Sequence, residues 1–167
     1  MTLNGSDLMV FVKSGNGYKS VAYATNHTLN VTMNQIDTST KDNGQGFWAN
    51  SEPGLMNWEM TTENLMNDSG DDNGLSFNSL FDIMLKRETV DVVFSLETNN
   101  QDFDSKANNE FDVPTGGWTS DSSNNYHGKV YITSLSCTAT NGEKANYSAT
   151  FTGAGPLLKT GDGIKKK

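Results

Sequence analysis

The chain holds a single cysteine, Cys137, so no disulfide can form within it and the fold does not depend on an oxidising compartment. No stretch approaches the roughly 20 apolar residues that a membrane span needs. The start, Met1-Thr2-Leu3-Asn4-Gly5-Ser6, lacks the basic residues and apolar run of a secretion signal. These absences lead to the expectation of a protein made in a cytoplasm, with no membrane partner. Positive charge is also scarce. Twelve Lys and Arg stand against twenty Asp and Glu, and the only basic cluster is Lys165-Lys166-Lys167. A protein that grips nucleic acid needs clustered cations to neutralise phosphates, so the net charge of −8 argues against tight DNA binding. It does not oppose DNA passing nearby, because a like-charged wall repels phosphates.

Enzyme signatures are missing as well. There is no G-x-x-x-x-G-K-[ST] phosphate loop and no G-x-S-x-G nucleophile elbow. His27 and His127 are a hundred positions apart and read as surface or turn residues beside strands. Two acidic groups, Asp68, Asp71 and Asp72, then Asp102, Asp104, Glu110 and Asp112, do not match calcium-loop spacing and read as solvated charge. The sequence therefore predicts no enzyme, no cofactor and no metal site. Cys137 alternates with apolar positions and is expected as a packed thiol.

What the chain does have is strand pattern. At 167 residues it fits one domain, 1–167, and eight Phe, five Tyr and three Trp can fill a modest core despite a mean hydropathy of −0.58. Leu8 to Val12 is an apolar run closed by the turn Gly15-Asn16-Gly17, with a return strand over Tyr18 to Thr25. After Asn26-His27, Leu29, Val31 and Met33 alternate with polar residues, and Trp58, Met60 and Thr62 resume the alternation. Val90, Val92, Phe94 and Leu96 make the clearest strand, with Asp91, Ser95 and Glu97 facing away. Between Val130-Ile132 and Leu135-Cys137 the buried parity shifts by one, which predicts a β-bulge near Thr133-Ser134. Asn141-Gly142 is a hairpin turn, and Ala145, Tyr147, Ala149 and Phe151 alternate on the return.

One helix is predicted. Phe77, Leu80, Phe81, Met84 and Leu85 fall at i, i+3, i+4, i+7 and i+8, an apolar stripe expected to pack on the core and cover a sheet or barrel end. Ser76 is its N-cap, and Lys86 and Arg87 sit where the helix dipole favours cations. Long polar loops are expected over 36–56 and 98–125, with a flexible tail from about 159 to 167.

Three groups of residues, in order, carry a resemblance. The first is Gly17-Tyr18-Lys19-Ser20-Val21-Ala22-Tyr23-Ala24-Thr25 running into Asp37-Thr38-Ser39-Thr40-Lys41-Asp42. The second is Trp58-Glu59-Met60-Thr61-Thr62-Glu63. The third is Gly128 to Leu135 followed by Tyr147 to Leu157, which closes on Thr152-Gly153-Ala154-Gly155-Pro156-Leu157. From about residue 7 to residue 159 the chain resembles the major tail protein family of long-tailed bacteriophages.

The resemblance implies a mainly β fold, a two-sheet sandwich or barrel flanked by one α-helix. It also implies hexameric rings stacked into a tail tube for DNA ejection. Partners would be other copies of the chain, with tail terminator, baseplate and tape-measure proteins and DNA in non-specific passage. The place would be the virion tail, with assembly in the host cytoplasm. On this reading Asp37, Thr38, Ser39, Thr40, Lys41, Asp42 and Trp48 are expected at contacts between subunits or rings. Asp37, Glu59 and Glu63 are expected to face the lumen. Two other readings remain open at this point. One is the inner tube of a contractile injection system; the other is a carbohydrate-binding or adhesion module using Trp48 and Trp118.

Overall fold

The computed structural model describes residues 2–42, 46, 48–67, 74–98 and 117–165. A short 3-10 turn, Gly5–Asp7, precedes β1 (Leu8–Ser14), β2 (Gly17–Ser20), β3 (Ala24–Asp37) and β4 (Ser51–Leu65). The helix α1 (Phe77–Lys86) follows, then β5 (Val90–Glu97), β6 (Ser120–Thr138), β7 (Asn146–Gly153) and β8 (Leu158–Thr160). All strand pairings are antiparallel, in the order β2-β1-β5-β6-β7-β4-β3, with β8 added to β6.

The mainly β fold with a single helix is as the sequence indicates, and its two layers are joined. β6 is 19 residues long and serves both halves. Ser120 to Val130 pair with β5, whereas Val130 to Thr138 pair with β7. The register shift between Ile132 and Ser134 is the predicted bulge, which bends the strand where it changes partner. The sheet thus wraps one core in which Val10, Val12, Val92 and Phe94 from one half meet Trp58, Met60, Tyr147, Ala149 and Phe151 from the other.

Trp58 locks the layers together. Its indole Nε1 donates to the Gly155 carbonyl at 2.8 Å. The ring lies where side chains on Gly128 and Gly153 would stand, since a Cβ at either would come within 2.5 Å of it. Those two glycines are therefore required by close approach, and the Gly-x-Gly-Pro turn is tied to the core through one tryptophan.

The helix begins as predicted, with the Ser76 side chain accepting from the Ser79 N–H. Arg87 lies just outside it, a left-handed C-cap at φ 55° whose N–H donates to the Met84 carbonyl. Only part of the apolar stripe is core. Leu80 is buried and Phe77 packs edge-on against Tyr147 at 5.4 Å, while Phe81 and Leu85 are 46% and 63% exposed.

Several expectations are corrected. The 36–56 segment is not all loop, because Ser51 to Leu65 is one strand and Asp37 pairs with Ser51. Asn26-His27 is no break but lies inside β3; the chain turns earlier, at Tyr23, which adopts φ 53°. His27 pairs with Thr62, and burial holds its pKa down at about 4. Ser95 is fully buried rather than outward, because its hydroxyl accepts the Asp121 N–H as the chain enters β6. Residues 120–125 of the expected loop belong to β6, and residues 99–116 lie outside the described residues.

The expected flexible tail is instead anchored as far as Ile164, and residues 166–167 lie outside the described residues. Lys159 and Thr160 pair with Tyr126 and Asn125, and Ile164 packs against the core. Cys137, expected as a packed thiol, stands opposite the buried Tyr147 yet is exposed, on the stretch of β6 past Val130 that has no β5 beside it.

Candidate assembly surface

The outer face of β3, β4, β7 and β6 is a regular surface that the fold leaves open. Cross-strand register places four residues in each row. Asn26, Glu63, Ser148 and Ser136 form one row; Thr28, Thr61, Thr150 and Ser134 form the next; Asn30, Glu59, Thr152 and Tyr131 form the third. None of these side chains is buried. The field consists of hydroxyls, amides, one phenol and two carboxylates, and it carries no Lys, Arg or His. Local bonds knit it, including Thr133 to Thr152 hydroxyls at 2.9 Å and Asn26 Nδ2 to Glu63 Oε2 at 3.5 Å. Such a surface holds water and offers phosphates no cation.

The four strands end in two edges. β3 is the last strand of the sheet, and among the described residues no strand lies on its far side. β6 pairs with β5 only up to Val130, so beyond that point no strand lies on its β5 side among the described residues. Because every pairing between them is antiparallel, β6 and β3 run in opposite directions. A second copy could therefore set its β6 edge beside β3 and continue the alternation. Unpaired edges of this length template strand addition.

Beyond the body, β3 and β4 continue as a two-stranded arm. β4 pairs with β7 only from Glu59 onward and Trp58 is in the core, so among the described residues Ser51 to Asn57 have only the strand β3 beside them. Seven residues reach about 23 Å at the rise of an extended strand. The arm is apolar for so exposed a position: Met33 and Met56, a cross-strand pair, are 50% and 66% exposed, Leu55 is 79% exposed, and Val31 and Ile36 are also open.

The arm's tip is ordered by the predicted Asp37-Thr38-Ser39 segment. The Asp37 carboxylate accepts the Ser39 N–H at 2.8 Å, the Ser39 hydroxyl donates to the Asn50 carbonyl, and the Asn50 N–H returns to that hydroxyl at 2.9 Å. The Ser39 N–H above all holds the Asp37 carboxyl below the usual carboxylate range. Thr38 donates its N–H to Asn50 as well, while Thr40, Lys41, Asp42 and Trp48 project into solvent, Trp48 at 82% exposure.

The structure thus separates the expected residues into two places. Glu59 and Glu63 share the polar face, two positions either side of Thr61. Asp37 lies at the arm tip with Thr38 to Asp42 and Trp48, far from both glutamates. What sequence reading missed is the arm itself and the free β6 edge. The acidic groups at 68–72 and 102–112 lie outside the described residues, and among the described residues no three His, Cys, Asp or Glu side chains cluster as metal ligands. Trp118 is half-buried and lines a cavity of about 550 Å³ with the N-terminal turn and His27, so Trp48 and Trp118 form no shared aromatic platform.

This fold, mainly β with one helix among the described residues, is found in solved structures. The chain aligns with the tail of an empty gene transfer agent particle refined with C6 symmetry (TM-score 0.69, 16% identity, 95% of this chain and 99% of that one). It also aligns with the SPP1 tail tube (TM-score 0.63, 11% identity, 97% and 81%). A third likeness is to the anti-feeding prophage baseplate (TM-score 0.56, 9% identity, 96% of each chain). At such identities the likeness is one of fold. No protein-family model matches the sequence. No curated protein matches it either.

Proposed function

We propose that this chain is a tail tube protein, a virion subunit that closes into six-membered rings and stacks them into a conduit for DNA. The observation that carries the reading is the open face of β3, β4, β7 and β6, polar throughout and free of basic side chains. Each copy's β3 edge receives the next copy's β6 edge, a head-to-tail contact that closes without leaving an edge. Six four-stranded faces bring about 24 strands, which at about 4.8 Å spacing enclose a bore about 37 Å across. Glu59 and Glu63 line that bore and keep phosphates moving by repulsion that reaches about 8 Å at physiological salt. The arm and its ordered tip, Asp37 to Asp42 with Trp48, reach out to adjoining subunits and rings.

Terminator, baseplate and tape-measure proteins are the partners at the tube's ends and interior, and the site of assembly is the host cytoplasm. The fold likeness to the anti-feeding prophage baseplate supports a second reading, the inner tube of a contractile apparatus, which would use the same ring and differ in cargo. Sedimentation of the purified chain tests the proposal. Ring formation gives a species of six times the 18.2 kDa chain as concentration rises. A monomer at every concentration speaks against it.

A further inference from the structure

We infer that the arm of one copy docks, through its inner apolar row, on the exposed C-terminal half of α1 in the adjacent copy, an inference that rests on the ring reading above. Val31, Met33 and Met56 continue the core row of Leu29, Met60 and Trp58 outward, beyond anything that covers them. A two-stranded hairpin is at best marginally stable alone in water, so an arm about seven residues long with this composition needs a partner surface. Among the described residues no strand but β3 flanks β4 before Trp58.

The acceptor follows from the edges. In the ring contact, β3 runs beside the neighbour's β6, antiparallel to it. Within one chain, Val31 stands at the level of Val130, through Trp58 and the Gly153 end of β7. If the neighbour sits at the same level, its Val130 is where β5 takes over the β6 edge, so β3 must leave the sheet there. The first element at that corner is the end of α1, which leads through residues 87–89 into Val90, the partner of Val130. Phe81 and Leu85, one helical turn apart, are the two large apolar residues of that helix left exposed. Charge at the rim is mixed, with Asp37 and Glu52 on the arm and Asp82, Lys86, Arg87 and Glu88 at the helix end, so the apolar patches carry the contact. The donor and acceptor patches differ, so the contact is head-to-tail and propagates, whereas an arm-to-arm contact would stop at a dimer.

Mixing two assembly-defective variants tests this. One carries Met33→Asp and Met56→Asp on the arm; the other carries Phe81→Glu and Leu85→Glu on the helix. All four positions are exposed, and an unchanged far-ultraviolet spectrum and melting temperature certify each monomer. Each variant alone should require at least about tenfold more protein to assemble than wild type, the loss of about 1.4 kcal/mol per contact. Mixed one to one, they should form a species of two chains, because the intact arm of one fits the intact helix of the other. Rings from the helix variant at wild-type concentration would overturn the docking site while leaving the ring reading intact. Two folded variants that fail to pair on mixing would overturn it too. A wild-type chain that never assembles would overturn both.

Discussion

Replacing Gly153 with alanine should destabilise the subunit without touching its surface. The added Cβ would stand 2.4 Å from Cε2 and Nε1 of Trp58 and 2.7 Å from Cδ2, well inside van der Waals contact. The indole cannot retreat freely. Its Nε1 is held by the Gly155 carbonyl at 2.8 Å, and Gly128 closes the slot beside Cζ2. Overpacking a filled core costs about 1–3 kcal/mol. For a chain of this size a loss of about 2 kcal/mol lowers the melting temperature by about 4–8 °C. Circular dichroism on protein dilute enough to remain unassembled reads that shift. Trp58→Phe supplies the internal control: it costs stability by itself but makes room, so the alanine should cost less in its presence, a coupling of about 1 kcal/mol or more. A Gly153→Ala melting temperature within about 1 °C of wild type, or strictly additive effects of the two changes, would refute the interlock.

Three further outcomes follow from the same structure. The His27 pKa is depressed, so the folded state resists the proton that the unfolded chain accepts; stability is full above about pH 6.5, falls as pH drops toward about 4 and then levels, a loss of up to about 3 kcal/mol. His27→Gln should remove that component, seen as a shallower fall in urea midpoint between pH 7 and pH 4 than in wild type. Trp48→Ser should leave the monomer's stability within about 0.5 kcal/mol, since the side chain is exposed, while weakening tube formation measured by light scattering. Glu59→Lys with Glu63→Lys should allow tubes to form but slow DNA release from virions, most at low salt; release kinetics identical to wild type across a salt series would remove both residues from the DNA path.

How much could be read in the chain beforehand depended on half-burial. Wherever one face of a strand meets the core, as in Trp58 to Thr62 and Tyr147 to Phe151, alternation marked it; Val31 and Met33 keep the alternation although they are exposed on the arm. The bulge at Thr133 was legible because a parity shift has only one cheap repair. The arm was not legible past Asn57, because both its faces lie outside the core and no selection for alternation acts there; Pro53 and Gly54 then read as loop. β8 is three residues long and too short to show a period. Ser95 was placed outward on polarity, whereas its hydroxyl is spent on the buried Asp121 N–H.

The surface was legible in part. Glu59 and Glu63 were placed together by their own spacing, but Asp37 was grouped with them although strand register puts it at the arm tip. The two free edges are properties of the sheet order, which no local pattern encodes.

The central claim is tested most directly by electron cryomicroscopy of the concentrated purified chain. The account predicts stacked six-fold rings about 100 Å wide, the size of six domains of this length around a bore, with the Glu59 and Glu63 face turned to the channel. A chain that stays monomeric at high concentration, or a tube that turns this face outward, would contradict it.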